Sequence, residues 1–151
     1  CENGGYIHPR DCNKCVCNDF YTGTRCEREN QVQNIQTKYT TVYERNQKES
    51  DFPEDFTLWN KDSTKLLKAP IGRRLNVTIT RMDNGYYKLG CSSCDWYGVE
   101  LSDGDLSLVG KTFCCEKHRG VSFISKTNVV GYKAYSIPGY PFYATVTYTV
   151  V

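Results

Sequence analysis

Histidine and methionine are nearly missing from this chain of 151 residues, which carries only His8, His118 and Met82. A His-Glu-x-x-His zinc peptidase centre needs two histidines one helical turn apart plus a further ligand, and neither histidine here stands in such a motif. No serine sits in a Gly-x-Ser-x-Gly turn, so the strained nucleophile of one large hydrolase class is missing too. No apolar run approaches the roughly 18 residues that a membrane-spanning helix requires. An excess of one charge is equally lacking: 19 basic against 17 acidic residues give +2, and Arg73 with Arg74 is the one adjacent basic pair. That pattern leaves no electrostatic footprint for nucleic acid. The chain has no initiator methionine, signal peptide or targeting tail and opens on Cys1 inside a dense cysteine pattern. The expectation is a piece of a longer secreted protein, without a membrane span and without intrinsic catalysis.

What the chain does have is cysteine. Five of nine are packed into Cys1, Cys12, Cys15, Cys17 and Cys26, and the rest wait until Cys91, Cys94, Cys114 and Cys115. Such density marks an oxidising compartment, and an odd count means either a partner outside the chain or one special thiol. A thiolate zinc cluster of Cys12, Cys15 and Cys17 is the competing reading. It fits poorly, because a structural zinc site wants two ligand pairs at regular separation.

Residues 1 to 28 hold few sizeable apolar groups beyond Tyr6, Ile7, Val16, Phe20 and Tyr21, too few for a core without covalent help. Residues 29 to 50 are polar, with Val32, Ile35, Tyr39, Val42 and Tyr43 at intervals that suit a helix. Thr37, Thr40 and Thr41 favour a strand instead, so a linker leading into a first strand is expected. Farther on, Leu75, Val77 and Ile79 alternate with polar residues, and Asp83, Asn84 and Gly85 form a turn signal. Tyr97, Val99 and Leu101 alternate in the same way before the turn at Ser102 to Asp105. Ala144, Val146, Tyr148 and Val150 close the chain as a half-buried strand. Turn clusters every 8 to 12 residues or so point to a sandwich.

Cys1-Glu-Asn-Gly-Gly-Tyr6, Cys12, Cys15, Cys17, Gly23 and Cys26 together resemble an EGF-like module lacking its first cysteine. Cys94-Asp-Trp-Tyr-Gly-Val-Glu-Leu101, Gly110-Lys-Thr-Phe-Cys114 and Ala69-Pro-Ile-Gly72 resemble a CUB domain. The joined pair resembles the C-terminal region of nematode-type astacin zinc metalloproteases. The resemblance implies an all-β chain: an EGF-like module at 1–27, a linker and first CUB strand at 28–50, and a divergent, jelly-roll-like antiparallel CUB sandwich at 51–151. It further implies Cys1 paired with Cys15, Cys17 with Cys26 and Cys94 with Cys114, with Cys12 left for a residue upstream. Ser63 stands near the place of one expected CUB cysteine, so that family bridge is gone. Cys91 and Cys115 then form an extra pair, although Cys91 with Cys114 and Cys94 with Cys115 remains open.

In this family the zinc belongs to a catalytic domain that would lie upstream, so no cofactor is expected in this segment. Many CUB domains hold calcium through a carboxylate that would fall at Tyr97 here, and a phenol is a poor ligand for that ion. Asn76-Val77-Thr78 is a glycosylation acceptor on the polar face of its strand. Tyr86, Tyr87, Tyr135, Tyr140 and Phe142 cluster near turn residues and are candidates for protein-binding loops, against the plainer reading that half the tyrosines fill the core. The expected function is a non-catalytic, substrate-positioning tail of a secreted astacin-like metalloendopeptidase, with an extracellular protein substrate or matrix protein as partner. The alternative is a stand-alone extracellular binding or adhesion protein. Residues upstream of Cys1 separate the two.

Overall fold

The computed structural model describes residues 1–45, 61–83, 93–106, 110–137 and 141–151. The N-terminal segment is held by two small antiparallel pairs: β1 (Tyr6–His8) with β2 (Asp11–Val16), and β3 (Tyr21–Thr22) with β4 (Arg28–Glu29). The chain then enters two larger sheets through β5 (Val32–Asn34) and β6 (Lys38–Arg45). They are followed by β7 (Lys61–Lys68), β8 (Leu75–Asp83), β9 (Tyr97–Leu101), β10 (Lys111–Phe113), β11 (Ser122–Ile124), β12 (Val129–Ser136) and β13 (Phe142–Val150). Among the described residues no α-helix occurs, and one 3-10 turn spans Glu116–His118.

One sheet runs β10-β9-β12-β7-β5 and the other β11-β8-β13-β6. β5 joins β7 in parallel, while the other pairings are antiparallel. The sheets face each other across a core that includes Leu67, Val99 and Tyr132 from the first and Val77, Val146 and Tyr148 from the second. The all-β sandwich expected from the sequence is the observed fold.

Alternation explains the terminal strands directly. Ala144, Val146 and Tyr148 of β13 are buried while Thr145 and Thr147 lie between them at the surface. On β8 the alternation slips: Leu75, Val77 and Ile79 are buried, but the next buried residue is Met82. The cause is a bulge, since Val146 pairs with Ile79 and Thr145 with Arg81, leaving Thr80 without a counterpart. Thr80 Oγ1 donates instead to the Thr145 carbonyl at 3.2 Å. The strand also runs through Asp83, which the sequence places in the turn; Asn84 and Gly85 lie outside the described residues.

Polar groups inside the sandwich tie the sheets together. The Tyr43 hydroxyl on β6 meets Ser136 Oγ on β12 at 2.5 Å, and Arg45 Nη1 donates to the Ser136 carbonyl at 3.2 Å. Within the second sheet, Thr41 Oγ1 on β6 and the Tyr148 hydroxyl on β13 pair at 3.0 Å. A buried hydroxyl without such a partner would cost about 1–3 kcal/mol, so these pairings let tyrosine rings join aliphatic side chains and Phe113 and Phe142 in the core.

Candidate protein-interaction surface

The stapled N-terminal segment is anchored by two bridges, Cys1 to Cys15 and Cys17 to Cys26. Cys12 is a free, exposed thiol among the described residues. With Cys15 and Cys17 consumed as disulfides, the zinc-cluster reading has no ligand set. In the sandwich Cys94 is bridged to Cys114, which settles that half of the open connectivity. Cys115 is also disulfide-bonded, and Cys91 lies outside the described residues.

The segment is seated on the outer face of the five-stranded sheet. Gly131 at the middle of β12 has its Cα directly under Phe20: a Cβ added there would stand 2.5 Å from Phe20 Cζ and 2.9 Å from Ser102 Oγ. Only glycine allows that approach. On either side of the ring, Lys133 Nζ binds Asp19 Oδ2 at 2.9 Å and Lys68 Nζ binds Glu29 Oε1 at 2.5 Å. The Asp19 hydrogen bond, opposed by partial burial and helped by the acidic neighbours Glu100 and Asp62, raises the Lys133 ammonium above its ordinary value. Backbone bonds continue the seat, with Asn30 N to Phe20 O and Leu66 N to Gln31 O, both at 2.9 Å.

Two concavities open beside this junction. One, of about 490 Å³, is walled by Asn3 and Tyr21 of the N-terminal segment and by Asp105, Leu106, Lys126 and Val129 of the sandwich. Burial first, then the Glu29 carboxylate, push the Tyr21 phenol above its ordinary range, against the opposing pull of Lys68. The other, of about 210 Å³, lies between the sheets and is lined by Leu101, Phe123, Ile124, Lys111 and Lys126 among others. Asp105 and Lys126 border both, making one continuous surface. Lys126 Nζ is 3.5 Å from Asp103 Oδ2. Apolar floor, charged rim and backbone at sheet edges suit recognition of a polypeptide better than chemistry on a small molecule.

Several aromatic candidates belong elsewhere. Phe142 is a correction: it is the first residue of β13, fully buried, with its ring 5.1 Å from Tyr97 and 5.9 Å from Tyr43, and it cannot be presented to a partner. Tyr135 is a second correction, since it lies within β12 and its hydroxyl donates to the Cys94 carbonyl. A Cβ on Gly98, its cross-strand partner, would meet the Tyr135 hydroxyl at 2.8 Å, so this glycine makes room for the phenol that braces the Cys94 bridge. Burial, then the Glu100 and Asp95 charges, push the Tyr135 hydroxyl up to about 12. Tyr86, Tyr87 and Tyr140 lie outside the described residues. Asn76 is partly exposed on the outer face of β8, where its Oδ1 accepts from Ser122 Oγ at 3.0 Å.

Among the described residues no group of three or more His, Cys, Asp or Glu converges as a metal cradle. The place of the family's calcium carboxylate holds Tyr97, a buried ring 5.1 Å from that of Phe142, and a phenol is a poor ligand for a hard cation. His118 is structural as well. Its Nδ1 accepts from the Cys114 and Cys115 amides, each at 3.1 Å, and its ring meets Phe113 edge-on at 5.4 Å. Burial first and Lys117 second lower its pKa, keeping the imidazole in the neutral form that can accept both bonds.

Phe20, Gly131, Asp19 and Lys133 were not legible as an interface from sequence. The available signal was Phe20 itself, a large ring in a segment with no core to receive it.

No family model matches the chain. Over 132 residues it is 30% identical to the zinc metalloproteinase nas-36 of Caenorhabditis elegans, a match covering 85% of this chain and 21% of that protein. The zinc metalloproteinase nas-20 of the same organism is 30% identical over 125 residues, covering 77% of this chain and 30% of its own length. The zinc metalloproteinase dpy-31 of Brugia malayi is 29% identical over 131 residues, covering 84% of this chain and 22% of that protein. The chain therefore spans only about a fifth to three tenths of the length of these curated relatives. Two solved structures share the fold. The CUB1-EGF-CUB2 domain of human MASP-1/3 matches with a TM-score of 0.51 at 15% identity, over 100% of this chain and 49% of that one. The same three domains of rat MASP-1 match with a TM-score of 0.51 at 12% identity, over 99% and 46% of the two chains. The chain is homologous to a non-catalytic part of nematode astacin zinc metalloproteinases and has CUB-type structural neighbours.

Proposed function

We propose that this chain is the substrate-positioning tail of a secreted astacin-like zinc metalloendopeptidase, working outside the cell on protein or matrix substrates. Residues 1–27 serve as an EGF-like module, 28–50 as linker and first strand, and 51–151 as the body of a divergent CUB domain. Zinc and the water it activates belong to the catalytic domain of the parent protein, and this segment contributes binding alone. The observation that carries the reading is the seat of Phe20 on Gly131, flanked by the Asp19–Lys133 and Glu29–Lys68 pairs. Modules joined this way hold a fixed mutual orientation, so a substrate bound to the sandwich is presented to an upstream active site at a defined distance. Tethering of that kind raises the local substrate concentration without changing the chemistry. Asn76 is an N-glycosylation site in this reading, and Cys12 takes its partner from upstream residues.

The test compares the parent proteinase with a form ending before Cys1. Loss of the tail lowers kcat/KM on a protein substrate by about tenfold or more while leaving a short peptide substrate unaffected. Equal loss on both substrates, or zinc-dependent cleavage of casein by the isolated chain, contradicts the proposal.

A further inference from the structure

On one side of the sandwich both sheets end in three-residue strands, β10 and β11, with the 210 Å³ cavity between them. Hydrogen bonding fixes which backbone groups of β11 are already used. Ile79 N donates to Val121 O and Ser125 N to Leu75 O, both at 2.9 Å, and Phe123 stands opposite Val77. Bonded pairs alternate along an antiparallel ladder, so Val121, Phe123 and Ser125 face β8. The N–H and C=O of Ser122 and Ile124 therefore point away from the sheet, and among the described residues nothing receives them. Exposed edges of this kind template a further strand unless something covers them.

The cavity beside that edge is lined by the apolar residues Leu101, Phe123 and Ile124, of which Leu101 and Phe123 belong to the core-facing side, and by Asp103, Asp105, Lys111 and Lys126. It is smaller than a drug-sized site and has room for one aliphatic side chain. The rim cations differ. Lys126 is matched by Asp103, whereas Lys111, opposite Leu101 on β9, makes no ion pair among the described residues.

From this juxtaposition we propose that the β11 edge binds an extended segment of a protein substrate by strand addition, with an apolar side chain in the Leu101–Phe123–Ile124 cavity and an acidic one beside Lys111. Main-chain bonds to Ser122 and Ile124 supply affinity, and the cavity and Lys111 supply selectivity. The inference rests on the substrate-positioning reading, but its test needs no proteinase.

The isotopically labelled 151-residue chain is titrated with the blocked peptide acetyl-Thr-Glu-Leu-Glu-Thr-amide and with a counterpart carrying lysine in place of glutamate. The acidic peptide is expected to slow hydrogen exchange at the Ser122 and Ile124 amides at least fivefold and to bind more tightly than the basic one. Lys111→Glu reverses that preference. Ile124→Pro removes an outward N–H while sparing the Phe123 bonds to β8, and weakens binding at least fivefold. Unchanged exchange at both amides under millimolar acidic peptide overturns the proposal, as does full affinity in a folded Ile124→Pro protein. Should that variant not fold, the acidic peptide N-methylated along its backbone replaces it, and undiminished binding of the methylated peptide is the contradicting result. A proteinase that depends on its tail for protein cleavage, alongside a peptide that leaves β11 untouched, removes this inference alone.

Discussion

The N-terminal segment and the sandwich reach stability by opposite means. Up to Glu29, Cys26 is the one buried apolar residue among those described, and two disulfides take the place of a core. The sandwich buries a contiguous set of aliphatic and aromatic side chains from both sheets and places the Cys94–Cys114 bridge at its border. Segments below about 40 residues gain too little apolar burial to fold unaided, so the first must be stapled, whereas crosslinks only reinforce the second. The contrast ends at Phe20, which spends its apolar surface on the neighbouring sheet.

The largest effect that separates the two regions is expected in the sandwich core. Phe142→Ala should cost about 3–5 kcal/mol in urea unfolding, and Tyr143→Ala, next in sequence but facing outward under Arg81, should cost no more than about 1 kcal/mol. Similar losses at both positions would break the assignment of β13 faces. Next comes Cys17→Ser combined with Cys26→Ser, which should remove about 2–5 kcal/mol from the stapled segment. Limited proteolysis should then cut within residues 1 to 28 and spare the sandwich; cleavage throughout would show that the regions are not separately stabilised. Gly131→Ala at the seam should cost about 1–3 kcal/mol, and adding Phe20→Ala should return part of it, because the ring is what the new methyl strikes.

The pH responses divide the molecule again. Burial first, against a Thr41 hydrogen bond that lowers it, pushes the Tyr132 hydroxyl up to about 12. A folded-state value raised above the ordinary 10 leaves stability intact below pH 10 and removes it as pH climbs toward 12, so the sandwich should weaken in that window. Ultraviolet titration should show Tyr132 and Tyr135 ionising only well above the ordinary value of 10. His118 works in the other direction: its folded-state value is lowered, so its contribution is present above pH 6.5 and fades as pH falls below it. Amide shifts of Cys114 and Cys115 should report that loss. Asp19→Asn is the smallest expected change, within about 1 kcal/mol for a half-exposed pair.

Legibility followed periodicity. β13 could be read from sequence because one face is buried and the other is wet, and β9 because Tyr97, Val99 and Leu101 alternate with the small Gly98 and the charged Glu100. β7 could not, since Lys-Asp-Ser-Thr-Lys-Leu-Leu-Lys carries no alternation, and its place between β12 and β5 is set by tertiary pairing. β12 was obscured by aromatic and small residues on both faces, a pattern explained only when Gly131 is found under Phe20 and Tyr135 over Gly98. The cysteine spacing together with the Asn3-Gly-Gly-Tyr6, Ala69-Pro-Ile-Gly72 and Gly98-Val-Glu-Leu101 motifs carried the resemblance. The proposed interaction surface was the least legible part, because Leu101 and Lys111 are ordinary residues of one strand pair and β11 comes beside them only where the edges of the two sheets meet.

The central claim is that the stapled segment and the sandwich behave as one rigid body. Residual dipolar couplings of backbone amides, measured on the intact chain in one weakly aligning medium, test it directly. A single alignment tensor should fit the amides of residues 1 to 29 together with those of the sandwich strands. Two tensors that differ in magnitude and orientation would contradict it.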